Sequence, residues 1–413
     1  MKKIMFNRIH FAMLVCFVIL GIQLTSCEKE EDNSPVITGI RNYAPAPNDT
    51  ILDVLVPGQY VVLEGSNLQN ASLITFDGIP ATIDNGILAG NYAVVKVPDV
   101  IPFPLVAEVD VNKVRFVNTN GETSFDFPIL AGPPAITGVS NELPTPGTVV
   151  AISGTNLFQI ESFSFGGTNI ADFQISEDGT FIIFTAPELT QSGPVKVVTR
   201  SGVDSTIFAV NDFETGMLCN FDDINTFSWG AEIKNDSQEF PGNQGNFAVL
   251  NSDVLAPWSG DWWSGGRSIN LNSTQLVSVE DLDLPVDNFA LKFELNVPGD
   301  WIGTQLYVIK DYSFEADPSY QMLWEPWLVA NGAQTFSATT AGQWVTVTLP
   351  LTMFKVADSD GLPGKGDSVA SLVDLLGDAG SGGITIYTAN KTEVATETGF
   401  RGAFDNIRII RIK

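Results

Sequence analysis

The sequence predicts an all-β chain in which two tandem β-sandwiches precede a larger third one, and three observations carry that prediction. Glycine (37) and proline (23) are abundant, and no long 3.6-residue hydrophobic period appears, which favours strands and turns over helices. A Pro-led strand pattern occurs twice in register, at residues 35–68 and 134–157. From about residue 212 the composition changes, and all eight Trp lie beyond that point. With 413 residues, 44% of them apolar, the chain is long enough for about three domains with real cores.

The N-terminus comes first. Lys2, Lys3 and Arg8 form a basic region, and Phe11 to Ile22 an apolar one of twelve residues. That is too short to span a bilayer and reads as a signal peptide over residues 1–26. Leu24-Thr25-Ser26-Cys27 resembles the bacterial lipobox, which implies that Cys27 is acylated and becomes the first mature residue. Residues 27–34 then form an acidic tether. Its run Glu28-Lys29-Glu30-Glu31-Asp32 resembles the lipoprotein export signal of Bacteroidota, which implies display on the outer face of the outer membrane. Without that resemblance the run reads as a solvated spacer.

Charge and rare residues exclude several chemistries. Without the leader cations, 18 basic residues face 48 acidic ones. Such a surface repels nucleic acid and disfavours acidic polysaccharides, leaving neutral ligands preferred. His10, within the leader, is the single histidine, so His general bases, Ser-His-Asp triads and His-ligated zinc are excluded from the mature chain. Cys16 leaves with the leader and Cys27 carries lipid, so Cys219 has no partner for an intramolecular disulfide.

The two repeats follow. Pro35-Val36-Ile37-Thr38-Gly39-Ile40 leads to Pro57-Gly58 and then Leu63-Glu64-Gly65-Ser66-Asn67-Leu68. Pro134-Ala135-Ile136-Thr137-Gly138-Val139 leads likewise to Pro146-Gly147 and Ile152-Ser153-Gly154-Thr155-Asn156-Leu157. Each reads as a strand, a Pro-Gly turn and a β-branched strand ending where Gly and Asn admit positive φ. Phe76-Asp77-Gly78 and Phe165-Gly166-Gly167 add a matching turn to each copy. The pattern resembles the IPT/TIG family of immunoglobulin-like sandwiches, with domains at 35–131 and 132–211. The first copy departs by extra loop length between Arg41 and Val56 and around Pro98–Leu105. The resemblance implies spacers or protein-contact modules.

Residues 212–413 form the third domain. Alternation in 289–297 predicts a strand with odd positions in a core and even ones in solvent, and 344–351 alternates similarly. A short helix is expected at Val369–Leu376, capped by Ser368. The opening Asn220-Phe221-Asp222-Asp223 and closing Phe404-Asp405-Asn406-Ile407-Arg408 resemble the terminal strands of jelly-roll carbohydrate-binding modules. The whole therefore resembles a surface glycan-binding lipoprotein of a Bacteroidota polysaccharide-utilisation system. That resemblance implies delivery of glycan to a TonB-dependent importer and its lid lipoprotein. It also implies a structural calcium at Asp222 or Asp405; no other cofactor is expected.

A pyranose has an apolar C–H face and a hydroxyl rim, so it needs rigid aromatic surface with a few carboxylates or amides. The Gly/Ser-rich segment Pro257–Gly266 supplies Trp258, Trp262, Trp263 and Asp261. Gln321, Trp324, Glu325 and Trp327 form a second candidate group, where Pro326 suggests an edge or bulge and one Trp of the pair is expected outside. Trp301, after Gly299-Asp300, is a third. Trp229 and Trp344 are assigned to structure. Asp358-Ser359-Asp360-Gly361 has too few ligands for a calcium loop and is explained by turn chemistry. The function expected is non-catalytic binding of a neutral polysaccharide, a β-glucan or xyloglucan-like chain favoured. The alternatives are an adhesion lipoprotein using the Trp cluster as a protein interface and, third, a glycoside hydrolase, for which no carboxylate signature appears.

Overall fold

The computed structural model describes residues 33–83, 87–235, 238–243, 245–329, 332–333, 340 and 342–413. The expected signal peptide, Cys27 and most of the expected acidic tether lie outside the described residues. The chain forms two compact units, one ending at Ile129 and the other comprising Val100–Val106 and Leu130–Lys413.

In the first unit, strands Val36–Asn42, Tyr60–Ser66 and Tyr92–Lys96 form one sheet. Ala71–Phe76, Lys113–Asn118, Gly121–Asp126 and the short Ile79–Pro80 form the other. The second unit begins with a sandwich built the same way. One of its sheets contains Ala135–Val139, Val149–Thr155 and Phe181–Thr185, and the other contains Ile160–Phe165, Lys196–Thr199 and Gly202–Ser205.

The repeated motif does the same work in each. The first strand pair is irregular between Ile37 and Gly39, and again between Ile136 and Gly138. A Cβ on Gly65 would lie 1.8 Å from the Val36 carbonyl oxygen, and one on Gly154 2.2 Å from that of Ala135, so neither position admits a side chain. Asn67 (φ +57°) and Asn156 (φ +55°) then turn the chain. Their side-chain amides donate to Ser34 O and Pro133 O, each at 3.0 Å. Leu68 and Leu157 close the respective cores.

The large sandwich packs two sheets. The first orders Glu232–Lys234, Phe247–Ser252, Phe400–Arg411, Phe289–Asn296 and Val345–Pro350, with Met217–Cys219 also paired to Phe400–Arg411. The second orders Phe227–Gly230, Ser268–Gln275, Ser381–Ala389, Gln305–Lys310, Gln321–Trp324 and Phe354–Lys355. The odd positions of the 289–296 strand behave as expected: Phe289, Leu291, Phe293 and Leu295 enter the core between the sheets.

Two expectations change. The helix is shorter, Leu372–Leu376, and its cap is Ser371, whose hydroxyl accepts from Asp374 N at 3.1 Å. Ser368 instead bridges to Lys355 in extended conformation and Val369 N donates to Phe354 O at 2.9 Å, so the chain enters the helix only after these residues. The even positions of the 289–296 strand are also buried, with Lys292 1% and Glu294 3% exposed. The neighbouring Ig-like sandwich brings Glu142 to this face. Lys292 pairs with Glu142, Arg408 with Glu142 at 2.9 Å, and Arg408 with Glu294 at 2.8 Å. Thr346 N donates to Ser140 O at 2.8 Å across the same seam.

Candidate functional site

The second sheet of the large sandwich turns one face inward through Ile269, Leu306, Val308, Met322, Ile384 and Ile386. Alternation sends Asn270, Tyr307, Gln321, Thr385 and Tyr387 to the other face. Register aligns them: Tyr387 lies opposite Tyr307, with rings 5.3 Å apart and 16° from parallel. The Tyr387 hydroxyl donates to Gln321 Oε1 at 2.8 Å, and Gln305 Nε2 donates to Glu325 Oε1 at 2.8 Å. Burial pushes both tyrosine hydroxyls up, so they remain protonated donors.

Two loops bring further aromatics over this face. Asp261–Ser264 is a tight turn closed by Ser264 N donating to Asp261 O at 3.2 Å. Trp262 and Trp263 occupy its two centre positions, where successive side chains diverge; their rings stand at 84° with centroids 5.8 Å apart. Trp262 rests 5.1 Å from Tyr387. The second loop leaves the sheet at Asp311, whose carboxylate accepts Gly383 N at 2.5 Å. Asp311 and Tyr312 both take left-handed φ, +49° and +53°, which throws Tyr312 outward.

Trp262, Tyr312 and Trp229 of the edge strand Phe227–Gly230 form one group. Trp229–Trp262 are 6.2 Å apart at 25°, Trp262–Tyr312 6.2 Å at 20°, and Trp229–Tyr312 6.4 Å at 7°. A single stack would place its outer rings at twice the inner spacing. Three nearly equal separations rule out a straight stack and place the rings as a compact triangle of offset, near-parallel planes. Trp229 and Tyr312 are 40% and 44% exposed. The result is a compact aromatic floor, half-buried at Trp262 and open to water at Trp229 and Tyr312.

On the same loop, Trp258 and Trp263 are exposed, as is Asp261. Arg267 anchors the Trp-bearing loop, donating to Thr388 O at 2.9 Å and to Ser259 Oγ at 3.4 Å. Burial pushes its pKa down, opposed by the nearby Asp261 carboxylate. Glu325 is half-buried, with Lys365 3.9 Å away.

Several residues expected on the surface are elsewhere. Trp301 is fully buried, packed against Phe400 at 4.6 Å and Trp324 at 5.4 Å, and its indole N–H donates to Thr304 O at 2.6 Å. Trp324 shares strand parity with Met322 and leans into the core. Trp327 is buried too, because a turn closed by Leu328 N donating to Glu325 O at 3.0 Å swings it back inward. Neither member of that pair forms a platform. Trp229, assigned to structure, lies in the floor instead; Trp344 is buried against Phe247. Sequence reasoning missed Tyr312, although Asp311-Tyr312-Ser313-Phe314 places aromatics in a polar turn-rich stretch, the same signal that marks Trp262.

Asp405 is buried, accepting Asn406 N at 2.7 Å and Asn243 Nδ2 at 3.0 Å, while Asp222 accepts Asn246 N at 3.1 Å. Among the described residues no three His, Cys, Asp or Glu side chains are grouped to hold a metal.

Residues 210–411 match the family described as the surface glycan-binding protein B xyloglucan binding domain. An IPT/TIG domain-containing protein of Bacteroides ovatus is 26% identical over 291 residues, covering 67% of this chain and 53% of that protein. The chain thus spans about half the length of the curated relative it matches. The surface glycan-binding protein PbSGBP-B of Prevotella bryantii has a TM-score of 0.68 at 20% identity, with 92% of this chain and 99% of that one covered. SGBP-B from a complex xyloglucan utilization locus in Bacteroides uniformis gives 0.51 at 18% identity, with 92% and 99% covered. At these identities the likeness to the solved structures is one of fold.

Proposed function

We propose, starting from the match of residues 210–411 to a xyloglucan-binding family, that this chain is a non-catalytic surface protein that captures a neutral β-glucan of xyloglucan type. The observation that carries the reading is the cluster of near-parallel rings of Trp229, Trp262 and Tyr312. An equatorial glucan chain presents its C–H faces to such a floor, and near-parallel rings accept successive pyranoses without bending the polymer. Asp261 lies within the same loop and suits hydrogen bonding to the hydroxyl rim; Gln321 and Glu325, tied to Tyr387 and Gln305, hold the face beneath in shape. The acidic exterior suits an uncharged ligand.

In this reading Cys27 is acylated, the protein hangs from the outer face of the outer membrane, and bound polymer passes to a TonB-dependent importer and its lid lipoprotein. Isothermal titration with xyloglucan oligosaccharides tests the core of it. Trp229→Ala, Trp262→Ala and Tyr312→Ala should each weaken binding about tenfold or more. Retained affinity in all three variants, or no binding of any neutral glycan by the parent, would refute the platform.

A further inference from the structure

A cavity of about 400 Å3 lies where the second Ig-like sandwich meets the first sheet of the large one, on the opposite sheet from the aromatic floor. Leu143 and Leu189 line it from the Ig-like side, and Trp344, Asp405 and Asn406 from the sheet. Its volume falls in the roughly 300–1,000 Å3 range of small-ligand sites, which favour domain junctions. Phe213 lines it while 46% exposed, which places that ring at the mouth.

A bulge builds the polar base. Phe404 and Ile407 both enter the core, so Asp405 and Asn406 both leave it, where a regular strand would turn only one residue outward. The pairing with Phe289–Asn296 shifts register at this place, between Lys292 and Glu294, and Asn406 takes a left-handed φ of +49°. Asp405 is engaged by Asn406 N and Asn243 Nδ2. Asn406 engages only its backbone. Its residue is 7% exposed, and among the described residues its side-chain amide makes no hydrogen bond. A buried amide without partners is costly, so the bulge brings a donor and an acceptor to a cavity whose contents must satisfy both.

The lining selects the chemistry of those contents. Among the described residues no Lys or Arg lines the cavity, which disfavours an anion. Glu294, at its back, is already neutralised by Arg408 at 2.8 Å. Burial raises the Asp405 carboxyl to about 8, so near neutral pH it keeps its proton and adds no charge. Hydroxyl groups both donate and accept, and C–H faces suit Trp344, Leu143 and Phe213. We propose that this cavity is a second saccharide site, taking one or two neutral pyranose units, as a free sugar or as the end of a chain, with the Asn406 amide bonded to their hydroxyls. The assignment goes beyond the floor and does not depend on it.

The test is calorimetric titration of cellobiose into the intact chain carrying Trp262→Ala, so that the floor contributes little. One saturable equivalent is expected. Adding Asn406→Gly, which keeps the left-handed backbone and removes only the amide, should weaken it about tenfold, the worth of two neutral hydrogen bonds. Phe213→Ala, at an exposed position, should weaken it about threefold or more. With Trp262 intact, either substitution should change xylogluco-oligosaccharide affinity less than about twofold. Saturation by cellohexaose as well as cellobiose would identify chain ends as the source, and by cellobiose alone a free sugar; both support the site. No saturable cellobiose binding, or affinity unchanged in both variants, would overturn it. The floor stands or falls separately, on xylogluco-oligosaccharide binding by the parent protein.

Discussion

Glu142→Gln is the substitution with the most calculable consequence. Glu142 is 2% exposed and faces two cations, Lys292 at 1% and Arg408 at 2%, with Glu294 as the second anion. The four charges cancel. Arg408 holds Glu294 through two bonds, 2.8 and 3.0 Å, so removing the Glu142 charge leaves Lys292 with no direct ion-pair partner, only the Phe208 ring at 3.6 Å and the weaker pull of Glu294. Burial already pulls the Lys292 pKa down. Breaking a buried pair on one side typically costs about 3–5 kcal/mol. The penalty has a ceiling, since an ammonium of ordinary pKa can shed its proton at pH 7 for about 4.6 kcal/mol. A loss of about 3–4.6 kcal/mol is therefore expected, which is roughly 6–18 °C in Tm for a unit of this size. Lys292→Met in the Glu142→Gln background removes the stranded charge and should restore at least about 2 kcal/mol. Urea denaturation followed by Trp fluorescence reads all three proteins. A loss under about 1 kcal/mol for Glu142→Gln, or no recovery in the double variant, would show that the seam is hydrated or open and that the reasoning is wrong.

Burial pushes the Asp405 carboxyl up to about 8. Raised above its unfolded value of about 3.9, the group contributes stability that is complete below about pH 4 and is lost as pH rises through 8. Asp405→Asn should thus match the parent near pH 4 and exceed it by a few kcal/mol at about pH 8.5 in thermal melts; a pH-independent difference would contradict this. Trp301→Ala should cost about 3–5 kcal/mol while leaving affinity of the folded fraction unchanged, whereas Trp258→Ala on its exposed loop should stay within about 0.5 kcal/mol. Loss of glycan binding by a stable Trp301→Ala protein would count against its core placement. Cys27→Ala should move the protein from the membrane fraction to the soluble fraction, and unchanged fractionation would remove the lipid anchor.

What could be read from the sequence follows from how local each determinant is. The Ig-like repeats are legible because Gly65, Asn67 and their counterparts Gly154 and Asn156 each meet a backbone demand within a few residues. The Trp262–Trp263 segment is legible because flanking Gly and Ser cannot form a core strand. Trp229 and Tyr312 are not, since the floor is assembled from three segments far apart in sequence, and no periodicity spans them. Trp327 misleads for a related reason. Strand parity ends at Glu325, and the turn there reverses which side the next aromatic faces.

The strand Phe289–Asn296 shows the deeper limit. Alternation correctly separates its two faces but cannot tell what its polar face meets, because water and a complementary ionic partner select the same residue types. Lys292 and Glu294 look solvated until Glu142, 150 residues upstream of Lys292, supplies the countercharge. That seam has a functional consequence, since burying four charges favours one docking geometry over any slid alternative, where they would be left unpaired. The sandwich carrying Trp229, Trp262 and Tyr312 is thereby held to its neighbouring Ig-like sandwich as one body. In the proposed reading, the aromatic floor keeps a set orientation on that support whether or not polymer is bound.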